Sequence, residues 1–95
     1  MEINVTGRRF KVWPELRDVA VETAQKFGKL NDNITQVDVV LSEEHGKTVE
    51  FTVYVNNRSY NAGDTAENFD RCIHTAAEKI TAQLRKLKEK QTEHR

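Results

Sequence analysis

The stretch TVEFTVYV, residues 48–55, alternates without a break. Val49, Phe51, Val53 and Val55 fall on one side of an extended chain, and Thr48, Glu50, Thr52 and Tyr54 on the other. A helix would scatter these apolar residues around its axis. The segment therefore commits the chain to a sheet with one buried and one wet face. Such a strand needs neighbours of the same kind. MEINVTG supplies one, with Ile3 and Val5 pointing one way, and Gly7 ends it. ITQVDVVLSEE, residues 34–44, supplies another, with Val37, Val39 and Leu41 on one face. Glu44-His45-Gly46-Lys47 reads as a turn. Asn56-Asn57 suits a tight hairpin, because Asn tolerates positive φ. RSYNA, residues 58–62, is expected to be a short fourth strand with Tyr60 and Ala62 inward, broken by Gly63.

Two segments follow the other period. Pro14 suits a first helical position, since its φ is already fixed there and its missing N–H would be unpaired anyway. From there Leu16, Val19, Ala20, Thr23, Phe27 and Leu30 recur at helical spacing, which predicts a helix over 14–29. Phe69, Ile73, Ala76, Ala77, Ile80, Leu84 and Leu87 make a second, longer stripe. Asp64 or Thr65 is expected to cap that helix, with Asp64 and Glu67 spaced as a capping box. Gln91–Arg95 reads as a frayed tail. The order is β-α-β-β-β-α. The economical packing is an α+β fold, a four-stranded sheet with both helices on one face. Ninety-five residues suit one domain spanning 1–95.

No run approaches the ~18 apolar residues of a membrane span. The N-terminus has an acid at position 2 and no apolar core of a signal peptide. The one cysteine, Cys72, allows no internal disulfide and fits a reducing, cytoplasmic compartment. Catalytic chemistry finds little support. Cys72 and His74 lie about 200° apart around a helix and point away from each other. Cys72 is expected to pack beside the apolar stripe as a small hydrophobe. The scattered His residues give no zinc spacing, and no glycine-rich phosphate loop occurs. The expectation is a non-enzyme without metal, cofactor or small-molecule substrate. Trp13 beside Pro14 reads either as a stacking platform or as a residue packed against the helix start, like a hydrophobic staple.

The charge is where the chain stops being generic. Fifteen bases balance fifteen acids, yet residues 1–70 carry 8 Lys/Arg against 12 Asp/Glu and residues 71–95 carry 7 against 3, so −4 faces +4. On a wheel at about 100° per residue with Ile73 at zero, Lys79, Lys86 and Lys90 fall near −120°, −140° and −100°, and Lys88 and Arg85 near 60° and 120°. Bases thus border the buried stripe on both flanks. Two readings stand. One is a solvated face whose lysine stems cover apolar edges and whose charges favour the helix C-terminus. The other is a polyanion site, because cations about 6–10 Å apart along a helix suit successive phosphates. Lys26 and Lys29 would extend such a patch if the helices lie side by side.

The element order, the opening MEINVTGRRF, the ITQVDVVL strand, the TVYVNN hairpin and the KITAQLRKLKEK ending resemble the ribosome hibernation promoting factor and ribosome-associated inhibitor A family, over nearly the whole chain. Ile73, Lys79, Ile80, Gln83, Leu84, Lys86 and Lys88 match the later part of that family's last helix. Asp70, His74 and Ala82 depart from it. The resemblance implies a βαβββα fold that binds the small ribosomal subunit in the channel for messenger and transfer RNA. It implies that Lys79, Arg85, Lys86, Lys88 and Lys90 touch phosphates of 16S-type ribosomal RNA, with Lys26, Arg17 and Lys29 as further candidates. It also implies a short family form without a dimerisation domain, monomeric when free. The alternatives are a protein-interaction or dimerisation module, or a divergent paralogue that does not inhibit ribosomes.

Overall fold

A computed structural model describes the backbone of residues 1–93 and the side chains of residues 1–87. The expectations placed on Lys88, Lys90 and the Gln91–Arg95 tail lie outside the described side chains. The elements are β1 (Glu2–Gly7), α1 (Pro14–Leu30), β2 (Ile34–Ser42), β3 (Lys47–Val55), β4 (Arg58–Ala66) and α2 (Phe69–Glu93). The sheet order is β1-β2-β3-β4. β1 runs parallel to β2, and the other pairs are antiparallel.

The alternation read from TVEFTVYV is realised. Val49, Phe51, Val53 and Val55 are buried, as are Val37, Val39 and Leu41 opposite them. The register sets Val39 beside Phe51 and Val37 beside Val53, so both strands turn the same face inward. Asn56 and Asn57 take positive φ, 50° and 64°, as the tight hairpin requires. Against this sheet lie Leu16, Ala20, Ala24 and Phe27 of α1 and Phe69, Cys72, Ile73, Ala76, Ile80 and Leu84 of α2. Phe27 meets Phe51 edge to face with ring centres 5.3 Å apart, which ties α1 to the middle of the sheet. α1 rests on β1 and β2, and α2 on β3 and β4. The two helices lie side by side on one face, and among the described residues none is a buried polar or charged side chain.

Two boundaries differ from the sequence reading. Gly63 does not break β4, which continues to Ala66 opposite Lys47. A Cβ at Gly63 would lie 2.9 Å from the Val49 carbonyl oxygen, so glycine there permits close approach of β3. Consequently neither Asp64 nor Thr65 caps α2, because both pair with β3. The cap is Asn68, whose Oδ1 accepts from the Arg71 N–H at 2.8 Å. β2 also ends at Ser42, short of the two glutamates.

Candidate nucleic-acid interface

β1 and β4 each lie antiparallel to β3 or parallel to a strand that does, so they run the same way. Each is followed by a helix that returns over the sheet. α1 and α2 are therefore parallel. Val19, Thr23 and Lys26 line the groove between them from α1, and residues from Asp70 to Arg85, Glu78 among them, line it from α2. The sequence then decides what each end carries. Residues 14–22 and 69–78 hold Glu15, Asp18, Glu22, Asp70 and Glu78 against Arg17 and Arg71. Residues 23–30 and 79–87 hold Lys26, Lys29, Lys79, Arg85 and Lys86 with no acid. Parallel packing brings like to like: an acidic head and a basic foot.

The candidate cations do not form one row. Lys26 and Arg85 line the groove of about 500 Å3, contributed by different helices. Lys29 is exposed on the last turn of α1. Lys86, also exposed, follows Arg85 and turns toward the β4 flank by the wheel of the helix. Lys79 lies on that flank with its amine engaged. Its Nζ donates to the Gly63 carbonyl at 3.0 Å and stands 3.8 Å from Asp64 Oδ1. Arg17 is exposed on the side of α1 away from α2, almost in line with Gly28, beside which Met1 packs. The groove also takes in Thr23, Thr81, His74 and the carboxylate of Glu78, which the sequence reading did not assign. The wheel could have found His74, which falls within about 20° of Arg85. His74 Nε2 stands 3.4 Å from Glu78 Oε1.

The opposite layer has the other sign. The outward side chains of the sheet include Glu2, Asp38 and Glu50 and no Lys or Arg. Asp38 Oδ1 accepts from Asn4 Nδ2 at 3.0 Å and Gln36 Nε2 at 2.9 Å. Partial desolvation pushes its pKa up, but hydrogen bonds from Gln36, Asn4 and Tyr54 outweigh it, and the carboxyl titrates below its ordinary value. That face repels a polyanion, so phosphate would be met by the helices. A hollow of about 660 Å3 lies elsewhere, between residues 32–36 and the hairpin, and among its lining residues Arg58 is the one cation. Among the described residues no group of three His, Cys, Asp or Glu side chains could hold a metal ion. No described helix is long and apolar enough to cross a membrane.

A family model described as "Sigma 54 modulation protein / S30EA ribosomal protein" matches residues 3–92. The ribosome hibernation promoting factor of Azotobacter vinelandii is 33% identical over 94 residues, covering 98% of this chain and 88% of that protein. Its namesake in Escherichia coli is 30% identical over 95 residues, covering 99% and 100%. The architecture recurs in a ribosomal subunit interface protein from Coxiella burnetii, with TM-score 0.80, 22% identity and coverage of 94% and 99%. It recurs again in the Protein Y N-terminal domain of Thermus thermophilus, with TM-score 0.82, 18% identity and coverage of 92% and 99%. With the match running from the first strand through the basic last helix, the chain belongs to the sigma 54 modulation protein / S30EA ribosomal protein family.

Proposed function

We propose that this protein is a ribosome-associated hibernation factor that binds the RNA of the small ribosomal subunit and holds ribosomes inactive. The names borne by its relatives supply the ribosome. The observation that carries the reading to this chain is the basic foot: Lys26 and Arg85 line one groove, whose carboxylates are Asp70 and Glu78, and Lys29 and Lys86 stand exposed on helical segments 23–30 and 79–87, which hold no acid. Such a cluster attracts phosphate without reading bases. The acidic head and acidic sheet face discourage random contact with nucleic acid and favour one orientation in a crevice. The channel that messenger and transfer RNA occupy is a crevice of that kind. Lys88 and Lys90 extend the same helix, and Lys79 and Arg17 give flanking contacts. The protein acts in the cytosol without catalysis, and when not bound to the ribosome it is a monomer.

The interaction-module alternative is weakened by the β4 edge. Lys79 and Gln83, one turn apart on α2, donate to the carbonyls of Gly63 and Asn61, at 3.0 and 3.2 Å. These are alternate residues of β4, and their outward carbonyls are ones an added strand would use. The test is sucrose-gradient sedimentation with purified small subunits at two ionic strengths. Co-migration at low salt that falls away at high salt is expected. Absence of the folded protein from the subunit fractions at low salt contradicts the proposal.

A further inference from the structure

Where both helices begin, the groove opens into a hollow of about 410 Å3 that the phosphate-binding reading leaves unused. Trp13 forms one wall and is 44% exposed, unusual for the largest apolar side chain. It does not cap α1. Its ring meets Phe10 at 5.7 Å and Phe69 at 5.8 Å, both steeply inclined, so neither phenyl ring stacks flat on the indole. The contacts fix the indole without covering it. Glu15, from the first turn of α1, and Asp70, from the first turn of α2, line the same hollow. Among the described residues neither carboxylate is in an ion pair. A cation already uses this cluster: Lys47 Nζ lies 5.7 Å from the centre of the Phe69 ring. Lys47 also lines the hollow, but its amine is paired with Glu43.

A nucleobase could stack on Trp13, but its phosphates would meet two free carboxylates. A polypeptide cation suffers no such conflict. We infer that the Trp13 hollow is a docking site for an arginine side chain of a protein partner, with the guanidinium lying on the indole and its N–H groups directed at Glu15 and Asp70. Arginine fits better than lysine because its planar, weakly hydrated head both stacks and forks to carboxylates. The inference is independent of the ribosome reading. Together they give the two ends of one groove different partners, RNA at the foot and a basic protein segment at the head.

Trp13 is the chain's only tryptophan, so its emission reports this hollow directly. The full chain, without ribosomes, is titrated at fixed ionic strength with a blocked Gly/Ser peptide carrying one arginine. Parallel titrations use the same peptide with neutral citrulline in place of arginine, and a short single-stranded oligoribonucleotide. A saturable change with the arginine peptide and none with citrulline is expected. The Glu15→Gln/Asp70→Asn variant, altered only at exposed positions, should bind about five- to tenfold more weakly. The inference is overturned if the arginine peptide produces no saturable change, if citrulline equals arginine, or if the variant binds unchanged. It is also overturned if the oligonucleotide alone perturbs Trp13, which would assign the hollow to a base. None of these outcomes alters the sedimentation result, so the two readings fail separately.

Discussion

Cys72 is a buried thiol whose Sγ donates to the Phe69 carbonyl at 3.4 Å. Burial pushes its pKa up to about 11, aided by the negative charges of Asp64 and Asp70 and opposed by backbone donors. A group that holds its proton more tightly when folded contributes full stability below its unfolded pKa, and that contribution is lost as pH rises toward the folded value. Thermal stability should therefore fall between about pH 9 and pH 11, and Cys72→Ala should flatten that fall. The native thiol should resist a disulfide reagent that modifies it at once in denaturant. Packing is tested at Phe27. Its removal leaves Phe51 facing a void in the centre of the core, and Phe27→Ala should lower stability by about 3–5 kcal/mol in denaturant titration. These residues were legible in the sequence because each sits on an apolar stripe or beside one. Lys79 was not. Its wheel angle gave a flank, but whether that flank met solvent or the edge of β4 depends on how α2 lies on the sheet.

At the scale of elements, the long alternations and stripes transmitted their structure through the sequence, and the junction between β4 and α2 did not. GDTA at residues 63–66 lacks the apolar alternation of a strand, and the spacing of Asp64 and Glu67 imitates a capping box. What overrides this is pairing with β3, which holds residues 58–66 extended and moves the helix start to Asn68. Asn68→Ala should then cost about 1 kcal/mol in thermal melts, while Thr65→Ala should cost less. A larger loss at Thr65 would return the cap to the position read from the sequence. The edge of β4 gives a second test. Lys79→Ala/Gln83→Ala uncovers two strand carbonyls. In analytical ultracentrifugation the variant should self-associate with rising concentration more strongly than the parent chain does.

Over the whole molecule, zero net charge conceals a directed arrangement. Acids line the open sheet face and the helix starts, and bases crowd the ends of two parallel helices. The sequence showed the imbalance between its two parts but not that Lys26 and Arg85, which lie 59 residues apart in sequence, line one groove, which they do only through the βαβββα topology. Binding of phosphate by this protein turns on that shared groove. Both are exposed, so Lys26→Glu/Arg85→Glu should leave the melting temperature nearly unchanged. The decisive measurement is the salt dependence of binding to purified small subunits for the parent and this variant. The parent should show a log–log slope of about −3 to −5, as for some four to six phosphates, and the folded variant should lose co-sedimentation at every salt concentration. A flat slope, or a variant that still travels with the subunits as the parent does, would contradict the account.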